Sequence, residues 1–325
     1  SYHKMKSNVK KQANNHIIKL TPIEVTISTS LDQINSDNFK TNRKCQIIHI
    51  PSHIASIEPS TFDRYLFVRS ITVDSNNQLF TSIDGILFSK DKRRLIRYPP
   101  RHPNQQYMIP SSVTTIDKSA FSGCINLTHL SVEDGNSAFV SIDGVLFSKD
   151  MQTLICHPSG HPNSIYNIPS SVTSISDFGF SRCSNLRSIT IPLSVISIGE
   201  SAFFNCNLLD NITIPSNVTS IRKSTFFDCT NLESITIPSS VTSIGKSAFF
   251  NCSNLGRITI PSSVISIGKS AFYYCSNLES ITIPSSVISI GNQAFAKCEQ
   301  LQQIRVENGN TAFVSNDGIL FSKDM

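Results

Sequence analysis

The sequence predicts an α/β solenoid: a coil of 23-residue repeats with a parallel sheet along one face and small β-hairpins inserted at intervals. Three observations carry that reading. A proline returns every 23 residues, at Pro169, Pro192, Pro215, Pro238, Pro261 and Pro284. The phrase around it is nearly constant, as in SITIPSSVTSIGKSAFFNC and RITIPSSVISIGKSAFYYC. Longer variants interrupt the series without losing its register: Pro51, Pro110 and Pro169 stand 59 residues apart, one repeat of 23 plus one variant of 36.

Each element of a repeat can be justified in order on residues 232–254. Leu232, Ile235 and Ile237 follow an L-x-x-I-x-I spacing, so the segment around Thr236 is a strand with one buried face. Pro238 cannot donate a ladder hydrogen bond and ends the strand. Val241 and Ile244 point inward from a second short extended piece. Gly245 is expected to permit the next turn. Residues 246–252 suit one or two helical turns with Ala248 and Phe249 facing in. Stacking the repeats turns each position into a column. Phe121, Phe180, Phe203, Phe226, Phe249, Phe272 and Phe295 form a spine of rings, and Phe204, Phe227, Phe250 and Tyr273 form a second stripe beside it. Cys124, Cys183, Cys206, Cys229, Cys252, Cys275 and Cys298 hold one position and are expected to be buried free thiols, with Cys45 and Cys156 off the column.

The 36-residue variants, at about 74–110, 133–169 and 307–325, carry hairpin signals at Asp84-Gly85, Asp143-Gly144 and Asp317-Gly318. In the first two, a further turn leads to a third strand. These hairpins either project as contact sites or cover the edge of the stack. The third variant stops at Met325 before its partner strand, so the sequence reads as a fragment. Its edge of Ile319, Leu320 and Phe321 is expected to favour self-association. Residues 25–50 read as a worn first repeat that caps the other end, with Ser28 at the usual Pro position and Asn42 at the usual Cys. The array therefore covers 25–325, and residues 1–24 form a basic polar tail.

Composition narrows the function. The chain is 39% hydrophobic and 16% charged, and no apolar run approaches a membrane helix. The net charge of +5 equals the lysine excess at Lys4, Lys6, Lys10, Lys11 and Lys19, so no nucleic-acid partner is expected of the repeats. No phosphate loop, nucleophile elbow or zinc-protease motif is present, so no catalytic set, cofactor or metal is expected and the chain reads as non-enzymatic. The best chemical cluster is Cys156, His157 and His161. One super-repeat earlier the equivalents are Arg97, Tyr98 and His102, so only the last histidine recurs. Glu133 and Asp134 lack the spacing of a calcium loop and read as a turn.

The working surface is expected on the outward strand positions. One column holds Thr190, Thr213, Thr236, Thr259, Thr282 and Arg305; beside it run Ser188, Asn211 and Arg257, and then Arg187 and Glu233. Arginines are favoured anchors of binding energy, so Arg187, Arg257 and Arg305 are the candidates for that role. Such Ser and Thr columns also suit any exposed strand.

The phrase NLxxIxIPxSVxSIGxxAFxxC alternating with DGxLFSKDxxxLIxxP resembles the BspA-like, or treponemal-type, leucine-rich-repeat family over roughly residues 25–325. The resemblance implies a right-handed leucine-rich-repeat solenoid with its parallel sheet on the concave face. It further implies a surface or secreted protein that binds a protein partner of a host cell or matrix through the concave face or the hairpins. The unpaired thiols leave open an intracellular, cytoplasmic protein-interaction scaffold of the same fold.

Overall fold

Alternating Ile and polar residues, cut short by Pro, give strands too brief to stand alone, so every rung is stabilised by its neighbours. A computed structural model describes residues 23–28, 31–35, 39 and 43–323. The basic run from Lys4 to Lys19, the cap residue Asn42, and Asp324 and Met325 lie outside the described residues. The chain winds through about 12 turns of a β-solenoid. Each turn contributes one strand to a first parallel ladder, such as Ser234–Thr236, which pairs with Arg257–Thr259 in register Ile235↔Ile258. A two-residue strand then enters a second ladder, such as Ser243–Ile244 on Ser266–Ile267. The inward residues, including Leu232, Ile235, Val241, Ile244 and Phe249, form a continuous core from Val145 to Ala294.

The expected helical turns are absent, which corrects the α/β expectation: among the described residues the only helix is the 3-10 turn Pro59–Phe62. Residues 246–252 show why. Ser247 and Asn251 adopt φ of 54° and 55°. Phe250 and Cys252 donate their N–H groups within the rung, to Ser247 and Phe249. Ser247, Phe249 and Asn251 instead donate to the carbonyls of Lys269, Ala271 and Tyr273 on the next rung, at 2.9, 2.7 and 2.7 Å. An α-helix would aim its N–H groups along its own axis rather than at the next rung. Left-handed residues four apart, Ser247 and Asn251, turn every second N–H along the solenoid axis and make a third ladder. The left-handed cost is lowest at residues such as Asn205, Asp228 and Asn251.

The glycine column also has a different basis from a turn. A Cβ on Gly268 would lie 2.5 Å from the Gly245 carbonyl carbon and from the Lys246 nitrogen. Gly268 is there because the previous rung passes within backbone contact, not because a positive φ is needed.

The first two 36-residue variants are three-stranded meanders, and the third shows the two-stranded hairpin Phe313–Asn316 and Ile319–Ser322. In the second, Phe139–Ile142 pairs antiparallel with Val145–Ser148, which pairs with Thr153–Cys156. The Gly144 carbonyl accepts the N–H of Leu130 at 2.9 Å, and Ser141 Oγ donates to the Leu130 carbonyl. The hairpin therefore occupies the open edge of the first-ladder strand His129–Val132. Gly85 on Ile71 and Gly318 on Ile304 repeat the contact. The third strand, Thr153–Cys156, then pairs in parallel with Ser174–Ile175 and starts the next stretch of the second ladder. Of the two roles open to the hairpins, covering the edge is the one these bonds perform. Outer residues of the last hairpin stay open: Ile319 is 60% and Phe321 40% exposed, whereas Val145 and Phe147 in the second are fully buried.

Three asparagines launch these hairpins, of which only Asn136 entered the sequence reading, as the end of the turn that begins at Glu133. Asn77, Asn136 and Asn310 are buried. Asn136 Nδ2 donates to the carbonyls of Pro110 and Val113, and its Oδ1 accepts the N–H groups of Ala138 and Phe139. A buried amide with four partners is fully satisfied and fixes where the hairpin leaves the rung.

Candidate functional site

The first ladder between residues 165 and 306 is an open polar face bounded at each end by a hairpin. Its strands are positioned by buried isoleucines, so the residues between them must point out. Arg187, Thr190, Asn211, Thr213, Glu233, Thr236, Arg257, Thr259, Thr282 and Arg305 are exposed, and Ser188 is half-buried. Register brings them together: Ser188 stands opposite Asn211, Thr236 opposite Thr259, and Thr282 opposite Arg305. Thr213 and Thr236 form a parallel bridge that carries the ladder across the middle. Rungs lie about 4.8 Å apart, so each threonine column is a regular row of hydroxyls. At the C-terminal boundary a cleft of about 790 Å³ opens between the strand face and the last hairpin, lined by Glu279, Ser280, Gln303, Arg305 and Asp317. Arg305 Nε donates to Gln303 Oε1 at 3.0 Å, which holds the guanidinium along the cleft wall.

The ring spine runs from Phe180 through Phe203, Phe226, Phe249 and Phe272 to Phe295, with centroids 5.1–5.5 Å apart. Phe121 departs from it: its ring lies 5.7 Å from Tyr98 in the core of the first meander. His157 heads the stack on Phe180 at 5.1 Å, at the column position that Phe fills elsewhere. The second stripe is half-buried and stacked, Phe204 on Phe227, Phe250 and Tyr273, with the Arg182 guanidinium 5.2 Å from the Phe204 centroid.

All nine cysteines are free, and all but Cys298 are buried. Each column thiol from Cys206 onward donates to the carbonyl of the Phe one rung back, as Cys229 does to Phe203 at 3.1 Å. Burial pushes Cys124 up to about 12 and Cys298 to about 11, so these two thiols stay protonated and poor as nucleophiles. Cys45 sits at the position of Leu127 and Leu186 and is a core residue.

His157 and His161 are brought together, with ring centroids 4.6 Å apart, but the thiol against His157 Nδ1 is that of Cys183, at 3.4 Å, rather than Cys156. Among the described residues no group of three or more His, Cys, Asp or Glu is arranged to hold a metal ion. The recurring histidine has another task. His161 Nε2 donates to the Asp143 carbonyl at 3.1 Å, as His102 Nε2 does to Asp84 at 2.9 Å, which pins the hairpin turn to the rung. His157 is held down near 3 by burial and by His161. Glu133 accepts the Ser111 N–H and lies at the start of a turn.

A model of the BspA type leucine rich repeat region matches residues 4–100, 101–157, 162–276 and 224–317, in 6 copies. The chain belongs to the BspA-type leucine-rich-repeat family. Solved structures with the BspA-type repeat chain's fold include a leucine-rich repeat protein from Eubacterium ventriosum, with a TM-score of 0.53 and 23% identity over 92% of this chain and 87% of that one. A leucine rich cell surface protein from Faecalibacterium prausnitzii has a TM-score of 0.50 and 22% identity, over 88% and 83% of the two chains. The pneumococcal vaccine antigen PcpA has a TM-score of 0.50 and 21% identity, with 83% of this chain covering 59% of the antigen. No curated protein matches the sequence. In the BspA-type chain no described helix is long and apolar enough to cross a membrane.

Proposed function

We propose that this chain is an adhesion module that recognises a protein of a host cell or matrix through the exposed strand face at residues 187–305. Leucine-rich-repeat families are generally protein-interaction modules. The observation that carries the reading is the face itself: rows of Thr, Ser and Asn held in register, with Arg187, Arg257 and Arg305 spaced along it and a cleft at its hairpin-bounded end. Rigid polar columns lose little side-chain entropy on binding, and arginines supply the anchors. A surface position fits the cell-surface protein and the antigen among its structural neighbours.

A second reading, an intracellular scaffold of the same fold, is favoured by one observation: nine cysteines with no disulfide, which suits a reducing compartment. The two are separated by incubating the immobilised chain with host lysate and matrix proteins in parallel with lysate of its own cell. Saturable capture from the host material supports adhesion. Capture from its own cell alone replaces that reading with the scaffold.

A further inference from the structure

Lys223, Lys246 and Lys269 hold one position on three consecutive rungs and are all exposed, and Arg222 stands next to the first of them. Their backbone is fixed. The carbonyls of Lys223, Lys246 and Lys269 accept the N–H groups of Ser201, Ser224 and Ser247 one rung back, at 3.0, 2.9 and 2.9 Å. The glycine column tightens the same place. A Cβ on Gly291 would lie 2.3 Å from the Lys269 nitrogen, and one on Gly268 2.5 Å from that of Lys246. The lysine Cα atoms are therefore held at the rung repeat of about 4.8 Å.

The ion pairs among the described residues are Arg94–Asp117, Arg97–Asp63 and Lys118–Asp177, and none includes these four cations. Two acids precede them in the column, Glu200 and Asp177; Asp177 is paired with Lys118 and lines a hollow shared with Arg222. Of the other acids on these rungs, Asp210, Glu233 and Glu279 stand at the start of the first-ladder strands, and Asp228 is half-buried and accepts from Asn251 Nδ2 at 2.8 Å. Like charges stacked at this spacing repel, and an anion with regularly spaced charges relieves them.

The geometry points to a binding stripe for a linear sulfated polysaccharide along Arg222, Lys223, Lys246 and Lys269. A single-stranded nucleic acid also carries regular charge but needs ring faces for its bases. The ring stripe beside the column offers none, and Tyr274, exposed and edge-on to Phe250 and Tyr273, is a single ring rather than a row of them. Phe227 and Phe250 stack at 4.5 Å and 2°, and Phe250 and Tyr273 at 5.0 Å and 11°, so their faces are spent on one another. A polysaccharide needs only the charges and hydroxyls, which the half-buried Ser224 and Ser247 supply in the next column.

The test is heparin affinity of the full chain, measured by titration at several salt concentrations, with fully desulfated heparin, a thymidine 20-mer and phosphatidylserine vesicles as parallel probes. Two variants separate the stripe from the basic tail. One combines R222Q, K223Q, K246Q and K269Q; the other changes Lys4, Lys6, Lys10, Lys11 and Lys19 to Gln. Thermal midpoints confirm that both fold. The stripe variant is expected to lose about tenfold or more in affinity and the steeper part of the salt dependence, while the tail variant keeps both. Unchanged heparin binding in the stripe variant overturns the proposal. So does loss of binding in the tail variant alone, or tighter binding of the 20-mer or the vesicles than of heparin.

Discussion

The Cys252 thiol donates to the carbonyl oxygen of Phe226, 26 residues back, at 3.1 Å. The same carbonyl accepts the N–H of Cys229 within its own rung at 3.3 Å. The thiol column is thus a fourth inter-rung ladder beside the three backbone ladders, made from a residue type that otherwise acts as a small hydrophobe.

Thiol reactivity follows from that burial. In denaturant without reductant the protein is expected to titrate nine thiols, and in the native state at most one quickly, the half-buried Cys298. Titration with a thiol-exchange reagent checks it. Cys252→Ala should cost about 1 kcal/mol for the lost bond and packing.

The two ring columns should differ in energy. Phe249 is fully buried between Phe226 and Phe272, while Phe250 is half-buried. Phe249→Ala is expected to cost about 3–5 kcal/mol and Phe250→Ala clearly less. Urea unfolding of both variants gives the comparison. Equal losses would mean that the second stripe is as deeply packed as the first.

Glycine substitutions separate close approach from flexibility. Gly268→Ala drives a Cβ into the backbone of residues 245 and 246 and should cost about 3 kcal/mol or more. On Gly256 the nearest atom to an added Cβ is the Asn277 oxygen at 3.8 Å, so Gly256→Ala should stay within about 0.5 kcal/mol of wild type. Thermal midpoints are sufficient to tell these apart.

Acid should loosen the second meander. Burial holds His157 near 3 and holds His161 below its ordinary 6.5. The groups facing them are His129, Asp143, Tyr166 and Cys183. Above pH 6.5 both rings are neutral in folded and unfolded chains, and stability is full. As pH falls below 6.5 the unfolded chain takes up protons first. His157 alone then removes about 1.4 kcal/mol per pH unit until about pH 3. His157→Phe restores the ring of the column and removes an imidazole whose Nε2 has no partner. It should raise stability at neutral pH and flatten the loss between pH 6.5 and 4, as read from urea midpoints against pH.

Much of this architecture is legible in the sequence because a fixed period turns one repeat into many independent readings of the same position. The inward positions Ile235, Val241, Ile244 and Phe249 and the thiol column follow from spacing alone. The segment from Lys246 to Cys252 was not legible as a ladder. Its apolar pair Ala248 and Phe249 fits a helical turn, and only the recurrence of Ser, Asn and Asp at residues such as 224, 228, 247 and 251 hints at left-handed positions four apart. Gly268 misleads in the same way, since a turn and a close backbone approach both select glycine. The hairpins could not be assigned to the sheet edge in advance, because the bond from Leu130 to Gly144 depends on where the meander folds back.

The measurement that bears most directly on the central claim is partner affinity after the strand face is stripped of its anchors. A chain carrying Arg187→Ala, Arg257→Ala and Arg305→Ala is compared with wild type against the protein captured from host cell or matrix, with folding checked by thermal midpoint. The strand face as the binding surface predicts at least a tenfold loss of affinity with the midpoint unchanged. Affinity equal to wild type would contradict it.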